Sequence, residues 1–362
     1  MRGGEKCLEV FCEIFPQATV FTLLHNKGSV SPVIESMDIR TSFIQGMPGA
    51  ARGYRNYLPL FSRAVESFDL SGYDLVLSSS HCVAKGARPR GKALHICYCY
   101  TPVRYAWKFF DQYFGDSGSL RRALISFAVK RLKKWDLSTN KRVDYFIAIS
   151  DNVKNRIKDY YSRSSDVIYP PVKIPSESEV SPDDKGYYLV VSAMEPYKKV
   201  DLAVKAFNAI GEKLVIAGKG SRLEELRSSA AENIEFTGWV DDEALADLYK
   251  GCKALVFPGE EDFGIVPVEA QSYGKPVIAY GRGGARETVR AFDGKNDSGN
   301  ATGVFFGEQT VDSLAGAVRV FEENGSVFDP VSIRRNSLRF DRKNFKRSIE
   351  DYIDSKLAEK GC

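Results

Sequence analysis

At 362 residues the chain exceeds the size at which one hydrophobic core keeps growing, so two domains are expected. With 51 Lys and Arg against 47 Asp and Glu, the net charge of +4 excludes a general polyanion binder, and no nucleic-acid partner is expected, although local basic patches remain allowed. Seven cysteines at irregular spacing do not form a disulfide framework and fit a reducing cytoplasm; without a run of about 18 apolar residues or a signal segment, membrane contact is expected to be peripheral.

Strand-like runs alternate with helical stretches, the pattern of a doubly wound parallel α/β sheet. In the first half, strands are expected over residues 18–23, 75–78, 94–99 and 145–149. His95 falls inside the third of these runs and is expected to be a satisfied core residue. Cys97 and Cys99, two apart in the same run, share a face and are expected to be buried, since no second Cys/His pair has metal-ligand spacing. Residues 120–135 (LRRALISFAVKRLKKW) set Arg121, Arg122, Lys130, Arg131, Lys133 and Lys134 beside Leu124, Ile125, Phe127, Ala128 and Leu132. At helical spacing this is an apolar stripe with basic flanks. It suits a helix lying on anionic lipid, or one covering the core of the first domain, and the two readings are compatible.

A stretch rich in Pro, Ser and acid, from Pro170 to Asp184, lacks any apolar period. It places a first domain at 1–172, a linker at 173–186, a second domain at 187–335 and a charged, helical tail at 336–362. Strands in the second half are expected over 188–192, 213–217, 234–237, 254–257 and 276–279.

Glu261 and Glu269 stand eight positions apart between the last two of these strands. Pro258-Gly259 breaks the strand, Pro267 has the fixed φ of a first helical position, and Gly274 with Pro276 ends the helix. Glu261 is thus expected at the carboxyl end of a strand. It faces a helix start whose N–H groups near Gly264, Ile265 and Val266 attract an anion, and Glu269 lies inside that helix. In an open α/β sheet, ligands sit outside the carboxyl ends of the strands. A phosphate at the helix start, a sugar at the loop carboxylate and a ribose at the helix carboxylate suit a nucleotide-sugar. Taken alone, the pair reads instead as a solvated acidic turn of Glu260, Glu261 and Asp262 and an outward helical Glu269.

The run from Glu261 to Glu269 resembles the E-x7-E signature of retaining glycosyltransferase family 4, and further blocks follow in the family's order. These are Ser192-Ala-Met-Glu-Pro-Tyr-Lys198, Gly218-Lys-Gly220, Phe236-Thr-Gly238-Trp239-Val240 and Gly281-Arg-Gly-Gly-Ala-Arg-Glu287. In the first half, Arg2-Gly3-Gly4-Glu-Lys6, Ser78-Ser-Ser-His81, Tyr98-Cys-Tyr100-Thr-Pro-Val-Arg104-Tyr-Ala-Trp107 and Val167-Ile-Tyr-Pro-Pro-Val172 look like bacterial mannosyltransferases of O-antigen and surface-polysaccharide synthesis. The resemblance covers nearly the whole chain. It implies a GT-B fold, two Rossmann-like domains facing each other across a cleft, with the tail crossing back to the first.

By the same resemblance, Lys198 contacts the diphosphate, Glu261 holds the transferred sugar, Glu269 takes the ribose, and Gly218, Gly238, Trp239 and Val240 line the donor site. The glycine-rich loop at Gly3 and Gly4, His81, Tyr100 and Arg104 fall on the acceptor side. Three departures stand out. Ala193 replaces an arginine common in the family, so Lys199, Arg282 or Arg104 would have to meet phosphate charge. Tyr100 replaces a histidine, and a phenol is a poor base near neutral pH, so it is expected to position rather than to transfer protons. Before Gly3 the family has a first strand of roughly ten residues, where this sequence has Met1 and Arg2, so either the start is misplaced or truncated or the inner strand is lacking. The implied activity is transfer of a hexose, mannose first, from GDP-mannose to a lipid-linked saccharide at the cytoplasmic membrane face, with retention. No cofactor, no metal and no covalent glycosyl-enzyme are expected. Two rivals are a nucleotide-sugar epimerase, whose acidic set would come from the first domain, and a catalytically weak paralogue acting as a scaffold.

Overall fold

A computed structural model of the chain describes residues 3–103, 119–180, 184–294 and 299–360. The chain divides into two compact units, Met1–Pro171 with Lys343–Cys362, and Val172–Arg342.

In the first unit β1 (Thr19–Thr22) and β2 (Asp38–Thr41) form a parallel pair of their own. The main sheet is parallel and runs in the order β3 (Leu75–Ser80), β4 (Leu94–Cys99), β5 (Tyr145–Ala148), β6 (Asp166–Val167). Every residue of β4 is buried, as expected of a central parallel strand covered on both faces. His95 is fully enclosed, with one ring nitrogen 2.9 Å from Ser78 Oγ and the other 2.8 Å from the Arg142 carbonyl, and burial lowers its pKa to about 4. Cys97 and Cys99 are buried in the same strand.

Gly3 and Gly4 do not form a loop: they open a helix, Gly3–Ile14, which buries Cys7, Val10 and Phe11 at helical spacing. That apolar face supplies enough packing to override two poor helix formers at the start. The helix Arg342–Lys360 buries Phe345, Ile349 and Ile353, and the Phe345 ring lies 5.6 Å from both Phe11 and Tyr98. The residues just before it stay with the second unit, where Asn336 donates to Gln271 Oε1 at 2.7 Å and to the Thr288 carbonyl at 2.8 Å. The changeover therefore falls after Arg342, later than the charge pattern from 336 suggests.

A helix at Ser119–Ser138 contains the basic stretch. In its second half Val129 and Leu132 are buried while Lys130, Arg131 and Lys134 are exposed. Trp135 Nε1 donates to Glu66 at 2.7 Å, and Glu66 also accepts from Arg142 at 2.8 Å, which fastens this end of the helix to the unit's own core. No described helix is long and apolar enough to cross a membrane.

The second unit has one six-stranded parallel sheet in the order β12 (Gly303–Phe306), β11 (Val277–Tyr280), β10 (Cys252–Phe257), β7 (Tyr187–Val191), β8 (Leu214–Ala217), β9 (Ile234–Gly238). Counted within the unit and from the other edge, this is the order 3-2-1-4-5-6 of dinucleotide-binding folds. Neighbouring residues of β7 face opposite sides: Tyr188 and Val190 join the core under the helices Val200–Ile210 and Val311–Glu323, while Tyr187 and Leu189 join the core holding Tyr249 and Ala270. Both faces are covered, which explains strands apolar throughout rather than alternating.

Candidate active site

The strand order of the second unit reverses between β7 and β10, and a crevice opens there between loops that leave in opposite directions. The loop after β7 carries Lys198 and the loop after β10 carries Glu261, and their ammonium and carboxylate form an ion pair across the reversal. Both side chains are largely but not fully covered, 23% and 14% exposed, so a ligand can reach them. The two loops touch along their backbones as well. A Cβ on Gly259 would come within 3.0 Å of the Lys198 carbonyl, so the bare glycine permits the approach.

Glu261 is set from the other side by the loop after β11. Gly284 N–H donates to the Glu261 carbonyl at 2.8 Å. A Cβ on Gly283 would stand 2.4 Å from that carbonyl oxygen, and one on Gly284 would stand 2.2 Å from Phe263 Cα. These glycines form a backbone bed under the acidic loop. The spacing of Gly281-Arg-Gly-Gly signals such a close approach but not which chain approaches.

Beyond Glu261 the chain turns at Gly264, whose φ of +95° is left-handed, into the helix Ile265–Ser272. The helix begins before Pro267, which is its third residue. Proline is tolerated there because the first four N–H groups lack helical acceptors in any case. The N–H groups of the first turn, at Ile265 and Val266, provide a partial positive charge beside the Lys198–Glu261 pair. One turn on, Glu269 accepts a hydrogen bond from Tyr249 Oη at 2.9 Å. Burial, reinforced by the Glu269 charge, holds the Tyr249 hydroxyl well above the ordinary phenol range, so it stays a donor. Tyr249 stacks on Tyr273 with ring centroids 5.6 Å apart.

The loops after β7, β8 and β9 are tied edge to edge. Ser192 N–H donates to Ala217 O at 3.0 Å, Met194 N–H to Lys219 O at 3.1 Å, and Gly218 N–H to Gly238 O at 2.7 Å. Gly218 has a packing reason to be glycine: its φ is +135° and a Cβ would lie 2.0 Å from the Ser192 carbonyl. Gly238 is left-handed at +72° and is followed by Trp239, 67% exposed, and Val240. Lys199 is one of two non-glycine residues with positive φ among the described residues, at +57°, where it starts the helix Val200–Ile210. Arg282 is exposed, 6.0 Å over the Tyr280 ring. Among the described residues no group of three or more His, Cys, Asp or Glu is arranged to hold a metal ion.

In the first unit, Tyr100 is fully engaged. Its hydroxyl donates to the Gly4 carbonyl at 3.0 Å and lies 2.8 Å from Ser79 Oγ, and burial raises its pKa well above the phenol range. Its one hydrogen is spent on the first helix, so it fastens Gly4 to the strand ends instead of donating to a sugar. His81 is exposed, its ring 6.5 Å from that of Tyr100. Arg104 lies outside the described residues.

Residues 173–338 match the family Glycosyl transferases group 1. The chain is 27% identical over 319 residues to an alpha-1,3/1,6-mannosyltransferase, ALG2 of Saccharomyces cerevisiae, covering 72% of this chain and 63% of that protein. Over 146 residues it is 38% identical to a GDP-mannose-dependent alpha-(1-6)-phosphatidylinositol monomannoside mannosyltransferase of Mycobacterium tuberculosis, covering 35% and 36% of the two chains. The chain thus spans less than two thirds of the length of these curated relatives. Among solved structures, HepE of Anabaena in complex with UDP aligns over 98% of this chain and 96% of its own, with a TM-score of 0.69 and 16% identity. A sucrose-phosphate synthase of Thermosynechococcus elongatus aligns over 97% and 92%, with a TM-score of 0.73 and 17% identity.

Proposed function

From a chain whose second unit belongs to the group 1 glycosyl transferases and whose fold is GT-B, we propose a retaining hexosyltransferase that moves mannose from GDP-mannose to a lipid-linked saccharide. The observation that carries this reading is the Lys198–Glu261 pair at the strand-order reversal, beside the first turn of the helix that bears Glu269. The donor diphosphate lies against Lys198 and the N–H groups of Ile265 and Val266. As the bond from the anomeric carbon to phosphate breaks, negative charge grows on the leaving oxygen, and a fixed ammonium and helix terminus stabilise it. Glu261 exchanges its lysine partner for sugar hydroxyls and fixes the anomeric carbon. Glu269, steadied by Tyr249, takes the ribose diol, since one carboxylate accepts from two adjacent hydroxyls. The base meets the Gly238-Trp239-Val240 turn. No divalent cation is required in this scheme, because lysine and helix dipole meet the phosphate charge.

Mannose as the sugar and GDP as the carrier are supported by the names of the two mannosyltransferase relatives. The first unit takes the acceptor, and the exposed Lys130, Arg131 and Lys134 give it electrostatic contact with an anionic membrane surface. In the described half of the helix Val129 and Leu132 are buried, so there this contact is a charged face on lipid headgroups. Incubating the protein with GDP-mannose and membrane lipid extracts tests the proposal. Mannose transfer with retained anomeric configuration supports it; hydrolysis or epimerisation of the donor without transfer contradicts it.

A further inference from the structure

The pairing of β7 with β8 continues past both strands. Val191 is opposite Ala217, and the hydrogen bond from Ser192 N–H to Ala217 O is the parallel-ladder bond of that pair. The bond from Met194 N–H to Lys219 O, 3.1 Å, repeats the pattern two residues on and sets Ala193 directly opposite Lys219. Residues opposite each other in a parallel ladder project to the same side. Ala193 is exposed and contributes only a methyl group, so the space beside it is open to the lysine. The Lys219 side chain is exposed and has no acidic partner among the described residues, whereas the Lys198 ammonium already faces Glu261. Of the two further cations on this edge, Arg282 lies over the Tyr280 ring, and Lys199 occupies the left-handed start of the next helix. Gly218 and Gly220 on either side are pressed against Ser192 and Met194, with Cβ positions 2.0 Å and 2.5 Å from their backbone atoms, so the loop holding Lys219 is fixed rather than loose.

We propose that Lys219 is a second cation of the donor site, binding the diphosphate from the β8 side of the β7 loop while Lys198 binds it from the β10 side. The inference rests on the reading of this edge as a nucleotide-sugar site. A diphosphate carries more than one negative charge, and Lys198, released as Glu261 turns to the sugar, meets only one of them. The role belongs to the side chain alone, because the ladder uses only the backbone carbonyl of Lys219.

The test is calorimetric titration of the full chain with GDP, UDP and ADP, and with guanosine, uridine and adenosine. For whichever diphosphate binds wild type, Lys219→Gln should weaken it at least about tenfold, the scale of one charge-assisted contact, and leave the matching nucleoside within about twofold. Lys219→Arg should retain most of the affinity, and Ala193→Arg added to Lys219→Gln should recover part of it. Unchanged diphosphate affinity in Lys219→Gln, with Lys198→Gln weakened, overturns the role of Lys219 and leaves the donor site standing. Equal losses for nucleoside and diphosphate also overturn it, since they mark a distorted loop. If wild type binds none of the three diphosphates, the donor-site reading fails and the inference with it.

Discussion

Tyr249 Oη donates to Glu269 at 2.9 Å, joining the helix Asp242–Gly251 to the helix that follows Glu261. The carboxylate is thereby oriented before any ligand arrives, and only part of its acceptor capacity is used. Replacing Tyr249 by Phe keeps the ring stacked on Tyr273 and removes the bond. KM for the donor should rise several-fold with kcat little changed, because a ribose contact persists from ground state to transition state.

The two glutamates should separate kinetically. Glu269→Ala should act mainly on KM, whereas Glu261→Ala should act mainly on kcat, since sugar contacts matter most as the anomeric carbon becomes electron-poor. Steady-state kinetics on both variants decides the matter; identical, small effects would remove the glutamates from the reaction.

Lys198→Ala should lower kcat by about 100-fold or more, the scale of one lost charge-stabilising donor. Activity of wild type should survive EDTA. Loss on chelation, restored by Mg²⁺ or Mn²⁺, would show that a cation shares the work assigned to the lysine.

Gly284→Ala tests the glycine bed. The added methyl would stand 2.2 Å from Phe263 Cα, so backbone must move, at a cost of about 1–3 kcal/mol and with Glu261 displaced. Both Tm and kcat should fall. Gly316→Ala, inside the helix Val311–Glu323 and with nothing within 4 Å, should be neutral or slightly stabilising.

Burial holds His95 near pKa 4, below its ordinary value of 6.5, so the unfolded chain takes up a proton that the folded chain refuses. Its contribution is fully present above pH 6.5 and is lost as pH falls from there toward 4. Urea unfolding of wild type should therefore show falling stability across that window. His95→Gln should be less stable at pH 7 and should flatten the dependence.

Much of the second unit is legible in the sequence because its signals are local. Apolar runs bounded by Gly and Pro mark the strands, and Pro267 with Gly274 and Pro276 brackets the helix bearing Glu269, whose start lies two residues earlier, at Ile265. What stays hidden depends on contacts between distant segments. The first helix at Gly3–Ile14 is misread as a loop because its stability comes from packing Val10 and Phe11, not from its two leading glycines. Tyr100 looks available until its hydroxyl meets Gly4, 96 residues away in the chain. The buried pair Lys85–Asp136, 1% and 0% exposed and 3.0 Å apart, joins residues no local pattern connects. Lys219 is likewise an ordinary lysine until the ladder sets it beside Ala193.

The exposed basic face of the helix Ser119–Ser138 predicts salt-sensitive membrane attachment. Each Lys or Arg near an anionic surface contributes about 1 kcal/mol, decaying over a Debye length of about 8 Å at physiological salt. Replacing Lys130, Arg131 and Lys134 by Gln should abolish co-sedimentation with acidic vesicles at low salt and slow transfer to a lipid-linked acceptor. Transfer to a short soluble acceptor should be spared. Unchanged vesicle binding would leave the helix as a core cover alone.

The central claim, that the Lys198–Glu261–Glu269 edge of the second unit holds a nucleotide-sugar, is tested most directly by calorimetric titration with GDP-mannose, UDP-glucose and ADP-glucose. Saturable binding to wild type is predicted, tightest for GDP-mannose, and lost when Lys198, Glu261 and Glu269 are replaced together. Absence of binding for all three donors, or equal binding to the triple variant, would contradict it.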